Sequence, residues 1–518
     1  MNWAPCAHCG TPNPPAAKYC MECAAALAVA TQAPASPVST VSPLPRPFGD
    51  AWDFLWRPRF GVRAALRTGI LSLLVFAFAF GGYYLSTRLH TYAGPSVRWG
   101  EPARCCQFYG YLADAFNHGT FDLAKVGVAP NFHPDLITID GKVYLPYQPM
   151  PGVLLMPFVA HWGVAYTEVN VSILLGAVNV VLFFHILRSI GVSRETKLLL
   201  IPFFAFGTQN FYSATTGSLW FYNHTAALFF LLLAVLFLLR RYNVVLPALA
   251  LGAAALSRQP TALAIPAFVY YMVEQRNPGV LGRIDLPGMV ASLIRGRGSR
   301  LWRLVKQTAQ SLRDVATDMR TVAAVALFLI AFAPFVAISL WYNEARFGGM
   351  FDTGLDDVYD KYQGVGYTLF LSIWPGEERF AEFDLRNIPL HLYTIFLLPP
   401  TFEPDGSLFR PSEFGMSVLL TSPPLVFAAL ARRKTSLKIA CWIALLLVPI
   451  PTLTYYSQGW VQFGYRYLMD YLPFLMILTA FGFDDNRSPV SFRIKVVLIL
   501  VSIVIGFWGR WWGARLGW

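Results

Sequence analysis

Three arginines stand where a mostly apolar chain turns polar. Arg258 lies in ALSRQP, Arg346 in WYNEARFGG and Arg466 in GWVQFGYRYLMDYLPF. An ionised side chain at such a boundary is costly unless it is paired or used. One reading is structural: each arginine staples helices together or snorkels toward head groups. The other is an anion clamp, because a planar guanidinium fits phosphate oxygens through two parallel hydrogen bonds. A phosphate carried on a lipid presents its charge at this depth. Arg466 and Asp470 are four residues apart and are expected to pair along one helix face.

Acidic residues gather in the polar insert 89–152, between the first and second strongly hydrophobic segments. Residues 105–118 suit an amphipathic helix, with Phe108, Leu112, Ala115 and Phe116 on one face. Gln107, Asp114 and His118 fall on the other, and Gly119 can end the helix. Asp140–Gly141, between ITI and KVY, predicts a tight hairpin turn. Glu101, Asp114 and Asp122 are the carboxylates available in the first part of this insert. Each could also be an ordinary solvated carboxylate.

A third constellation is CAHCGTPNPPAAKYCMEC near the start. Cys6 and Cys9 form one CxxC knuckle, Cys20 and Cys23 a second. Four thiolates so spaced suit a tetrahedral zinc ion, here a folding staple rather than a catalyst. His8 reads as a spectator. Ala24 stands where such knuckles usually have glycine. Reduced, metal-bound thiolates place this zinc ribbon (1–27) in the cytoplasm. No apolar core of a secretory signal is visible at the start. Cys105 and Cys106 are adjacent, and neighbouring cysteines bridge each other poorly.

The rest of the chain must position these groups in a bilayer. The 518 residues are 55% hydrophobic and 14% charged, against about 25% charged in soluble domains. This excludes an ordinary soluble fold and predicts an all-α polytopic membrane protein. After the ribbon comes a Pro/Ala-rich linker (28–46). A basic-aromatic interfacial helix (47–67) follows, and then a transmembrane domain (68–518). About eleven spans are expected, at 68–86, 169–188, 198–214, 219–239, 244–257, 260–274, 321–342, 416–431, 437–456, 467–482 and 494–509. The short pair 244–257 and 260–274 reads as tilted half-spans meeting at Ser257–Pro260. Residues 149–165, punctuated by Pro149, Pro151 and Pro157, read as a helix lying against the membrane. That choice leaves the basic loops on the cytoplasmic side, as the positive-inside rule requires. Outer loops then run over 89–168 and 343–415, and the basic insert 275–320 is cytoplasmic. The part of that insert around Arg295–Lys306 reads as a basic helix on lipid head groups. The net charge of +12 is accounted for by those loops, so nucleic acid is not expected as a partner.

Six stretches together resemble a known class. In order they are YLADAFNHGTFDL, DGKVYLPYQPMPGVLLMPFVA, GSLWFYNHTAALFFLLLAVLFLL, ALSRQPTALAIPAF, WYNEARFGG and GWVQFGYRYLMDYLPFL. Over residues 65–510 the chain is similar to GT-C integral-membrane glycosyltransferases, near protein mannosyltransferases and the lipid A aminoarabinose transferase. The zinc ribbon lies outside the resemblance. The resemblance implies inverting transfer of a monosaccharide from a polyprenyl-phosphate donor to an acceptor hydroxyl of a protein, lipid or glycan. The site would be extracytoplasmic, in the plasma membrane. It also implies an acid in the first outer loop, as general base or metal ligand. The family's position falls near Cys105 or Cys106 here, so Glu101, Asp114 and Asp122 are the candidates, Glu101 by position and Asp114 by helix face. Arg258, Arg346 and Arg466 would receive the donor phosphate. No ligand set in the sequence demands a divalent metal there, though one would assist. The competing readings are a transporter and a membrane sensor carrying a zinc ribbon. Acids in outer loops and dissimilar halves disfavour transport.

Overall fold

The computed structural model describes residues 4–5, 12–13, 62–88, 107–165, 168–241, 243–281, 291–295, 297–363, 381–403, 406 and 408–517. The chain divides into two units, Met1–Arg59 and Phe60–Trp518. In the first, β1 (Ala4–Pro5) pairs antiparallel with β2 (Pro12–Asn13). Cys6, Cys9, Cys20 and Cys23, the linker 28–46, Glu101, Cys105 and Cys106 lie outside the described residues.

The second unit is a helical bundle. Its elements begin with α1 (Val62–Arg88), α2 (Phe108–Asn117), the hairpin β3 (Ile137–Ile139) and β4 (Lys142–Tyr144), and α3 (Met150–Trp162). Then come α4 (Glu168–Ser189), α5 (Arg194–Phe206), α6 (Gln209–Thr216), α7 (Leu219–Arg240), α8 (Val245–Ala255) and α9 (Ile265–Arg276). They are followed by α10 (Gly298–Thr317), α11 (Met319–Phe347), α12 (Leu355–Gln363), α13 (Ile388–Phe396), α14 (Ser436–Leu447), α15 (Leu472–Asp485) and α16 (Pro489–Leu516).

Among the described residues, six helices are long and apolar enough to cross a membrane: 65–88, 168–189, 219–240, 319–347, 436–454 and 489–516. They coincide with six of the expected spans. The other five expected positions hold shorter pieces, and glycine and proline explain the breaks. Gly207 separates α5 from α6. Pro423 and Pro424 open a 3-10 segment over Pro423–Leu430, and Pro473 opens α15 behind a 3-10 turn, Arg466–Asp470. Broken backbone at this depth is tolerated where protein covers it. Residues 62–67, the end of the segment 47–67, belong to α1, which begins at Val62 and runs without a break into the first span; residues 47–61 lie outside the described residues. The thirteen-residue α3 is about 20 Å long, too short for a core of about 30 Å.

The turn residues behave as their chemistry requires. Asp140 and Gly141 both take the left-handed conformation, φ 49° and 77°, which a two-residue hairpin turn needs. Ser193 caps α5 by accepting from the Thr196 amide, and Thr208 caps α6 from Asn210. α2, the hairpin and α3 form one apolar cluster with Val171, Leu175, Leu219 and Tyr222 of α4 and α7. Inside the bundle, polar groups satisfy one another. Asn179 donates to Asn210, Asn210 to the Tyr83 hydroxyl, and Tyr83 to the Ala205 carbonyl.

The two ends of the bundle differ in charge. At one end Arg188 donates to Thr68 and Arg240 meets His185. Arg241 reaches Gln275, and Arg433 and Arg487 hold Asp484. The opposite ends of α7 and α16 border a large cavity.

Candidate functional site

The cavity holds about 910 Å³. Its wall is assembled from the turn 133–135, the stretch 146–148, the first turn of α7, the break between α8 and α9, and the segment 451–467. The last turns of α16 close it. Trp220, Phe221, Tyr455, Trp460 and Tyr467 supply aromatic surface.

Three arginines line it, and they are not equivalent. Arg258 sits at the break after α8, where the chain leaves helical geometry (φ −139°, ψ 105°). It grips Asp470 through Nε at 3.2 Å and Nη2 at 2.9 Å. His224 Nδ1 holds the same carboxylate at 3.1 Å. Arg258 is therefore neutralised before any ligand arrives. Asp470 pairs with Arg258 and not with Arg466, because 466–470 is a 3-10 turn in which the four-residue helical spacing no longer aligns side chains.

Arg466 and Arg510 have no carboxylate partner among the described residues. Arg466 is 7% exposed. One Nη donates to the Trp460 carbonyl at 3.2 Å, while Nε has no partner. Its guanidinium lies 5.4 to 5.9 Å from the ring centres of Tyr467, Trp220 and Phe221, in cation–π range. Arg510 is 2% exposed, and its Nε is also unpartnered. Small residues let α16 bring it in. A Cβ on Gly509 would stand 2.3 Å from the Phe463 ring, and one on Gly513 would stand 2.7 Å from the Tyr212 hydroxyl. A buried cation without a counter-charge is costly. A cavity with two of them is built for an anion.

Among the described residues that line the cavity, the carboxylate is Asp135, in the turn before β3, buried to 3% exposure. Its Oδ2 accepts from Trp220 Nε1 at 2.8 Å and from the Tyr147 hydroxyl at 3.1 Å. His224 lines the same cavity, oriented by Asp470. Asn223, next to it on α7, is buried with its carbonyl oxygen unpartnered. At the rim, Glu382 adjoins the lining residue Phe383. Burial, and then the hydrogen bond to Asp356, push its carboxyl up to about 8.

Of the residues singled out by sequence, Arg258 and Arg466 meet in the cavity and the other described ones do not. Asp114 is on α2, partly exposed and 3.4 Å from His118. Asp122 spends Oδ1 on the amides of Ala124 and Val143, at 3.0 and 2.9 Å, which ties the 3-10 turn Leu123–Val126 to the hairpin. Arg346 spends its donors on the carbonyls of Tyr342 and Leu145 and on Asn343, under the Tyr342 ring. It is a staple between α11 and the strand end. Asp135 and Arg510 were not among the sequence candidates. The signal for Arg510 was a cation among glycines and tryptophans in GFWGRWWGARLG, and for Asp135 a proline-led turn next to a strand. Among the described residues no three His, Cys, Asp or Glu side chains converge.

No family profile matches the sequence, and no curated protein matches it. Two solved structures from Archaeoglobus fulgidus are similar to the chain. One is an oligosaccharyltransferase tethered by a disulfide bond with an acceptor peptide containing the NVT sequon. It has 14% identity and a TM-score of 0.43, covering 86% of this chain and 55% of that one. The other is an archaeal oligosaccharyltransferase in complex with an inhibitory peptide and a dolichol-phosphate. It has 13% identity and a TM-score of 0.42, covering 86% and 56%. The chain spans about half the length of these neighbours. A likeness of this size assigns no activity to it.

Proposed function

We propose that this chain is a membrane glycosyltransferase. It moves a monosaccharide from a polyprenyl phosphate to an acceptor hydroxyl of a protein, lipid or glycan, with inversion, at the extracytoplasmic face of the plasma membrane. The observation that carries this reading is the pair of buried guanidiniums, Arg466 and Arg510, that line one cavity, neither of them paired with a carboxylate among the described residues. A lipid phosphate is an anion that reaches such a depth.

The chemistry follows from the bonds. The acceptor oxygen attacks the anomeric carbon and loses its proton to the Asp135 carboxylate. The bond from that carbon to the phosphate oxygen breaks, and its electron pair leaves with the phosphate. Arg466 and Arg510 meet the charge that grows there, with donors fixed in advance. Arg258, anchored by Asp470, flanks them. Asp135 takes the role that sequence placed on Glu101, Asp114 or Asp122. Glu101 remains a candidate for a second acid.

Orientation comes from charge. The arginines around Arg188, Arg240 and Arg433 crowd the end opposite the cavity, and cytoplasmic loops are the basic ones. The thiolates Cys6, Cys9, Cys20 and Cys23 are proposed to hold a structural zinc on that cytoplasmic side.

The test is reconstitution. Purified protein in liposomes should move sugar from a labelled polyprenyl-phosphate monosaccharide onto an acceptor hydroxyl supplied by added membrane lipid, glycan or protein, and leave the lipid phosphate behind. Uptake of free labelled sugar without cleavage of the lipid donor would favour a transporter.

A further inference from the structure

The helix α10 is not used by the chemistry above, and its residues have a separate pattern. Within Gly298–Thr317 stand Arg300, Arg303, Lys306 and Arg313 against one acid, Asp314, with Arg297 just ahead. All five cations are exposed, and none is ion-paired among the described residues. At 100° per residue, Leu301, Trp302, Val305, Leu312 and Ala316 share one arc. Trp302 is 61% and Leu312 53% exposed. The Lys306 ammonium lies 5.5 Å from the Trp302 ring centre, so a cation borders the apolar arc.

The place of the helix says what covers that arc. α10 ends at Thr317 and α11, the longest span, begins at Met319. Asp318 between them is non-helical (φ −79°, ψ 87°), so the chain turns there and the two do not form one rod. Asn277, just past α9, fixes the turn by donating to Asp318 and Thr321. The first turns of α11 expose Met319 and Val322, 70% and 37%, as a lipid-facing span does. The C-terminal end of α10 therefore lies at the level where a span leaves the hydrocarbon, on the basic end of the bundle.

We propose that α10 lies in the bilayer surface and binds anionic phospholipid head groups. Trp302 and Leu312 enter the acyl boundary, and Lys306 and Arg313, at the edge of the apolar arc, meet phosphates beside it. The occupant is a negatively charged lipid surface, because Lys306 and Arg313 border an exposed apolar arc on a helix tethered to a membrane span. The inference does not depend on the glycosyltransferase reading.

The full-length protein is placed in nanodiscs of phosphatidylcholine alone, or with phosphatidylglycerol. Amide exchange of residues 298–317 is followed. Anionic lipid should slow exchange there and leave α7 unchanged. Lys306→Gln with Arg313→Gln should remove most of the slowing, since each cation near an anionic surface counts for about fivefold. Lys306→Glu with Arg313→Glu should abolish it. Equal exchange in both lipids overturns the proposal, as does slowing that survives charge reversal. Slowing by a short RNA but not by phosphatidylglycerol also overturns it, and marks a nucleic-acid face.

Discussion

Arg258 is held by both oxygens of Asp470, 212 residues away, and His224 closes on the same carboxylate. The three groups come from the break after α8, from α7 and from the 3-10 turn before α15. Asp470 is 1% exposed. Removing its charge strands a cation in the bundle, which costs about 3–5 kcal/mol. D470N should therefore lower the melting temperature sharply. R258Q with D470N should recover much of that loss, because no lone charge remains. A double variant as unstable as D470N would show that the ion pair is not what Asp470 contributes.

Asp135 is expected to act on the acceptor and not on the lipid. D135N should reduce transfer by about 100-fold to 10,000-fold, the range for a general base, with donor binding intact. D114N should keep its turnover. D122A should lose about 1 kcal/mol of stability through its capping contacts, yet retain activity per folded molecule. Steady-state transfer beside donor titration checks all three.

Asn223 presents an unpartnered carbonyl oxygen to the cavity wall. A site built to bond a hydroxyl discriminates strongly against ligands that lack it. N223L should bind a bare polyprenyl phosphate as wild type does, and lose the extra affinity for the sugar-bearing lipid. Titrating both lipids reads the difference directly. An unchanged ratio would remove Asn223 from sugar recognition.

Glu382 gives a pH signature at the rim. Burial and Asp356 raise its carboxyl from 4.5 to about 8, so the folded state favours the protonated form. That stabilisation is complete below pH 4.5 and is lost as the pH rises through about 8. Residues 381–398 should exchange faster as the pH increases across that window, after correction for intrinsic rates. E382Q should flatten the dependence.

Much of this was legible from local pattern. The hairpin at Asp140–Gly141, the helix near 105–118 and the break at Ser257–Pro260 are written in neighbouring residues, and the structure has each. The site was legible only in part. Arg258 and Arg466 drew notice as charges at apolar boundaries. Asp135 is defined by Trp220, 85 residues on, and nothing within its own turn says so. Arg346 shares the boundary signature but is spent on backbone carbonyls, a distinction set by packing. Arg466 and Asp470 do not pair at their helical spacing of four, because Pro473 delays the helix and leaves 466–470 in a 3-10 turn.

The central claim is that Arg466 and Arg510 wait for a lipid phosphate. Binding of undecaprenyl monophosphate to the purified full-length protein tests it most directly. R466Q and R510Q should each weaken binding by about 10-fold to 100-fold, as for loss of a charge-assisted hydrogen bond, with the melting temperature unchanged or raised, since each removes an unpaired buried charge. Wild-type affinity in both folded variants would contradict the account.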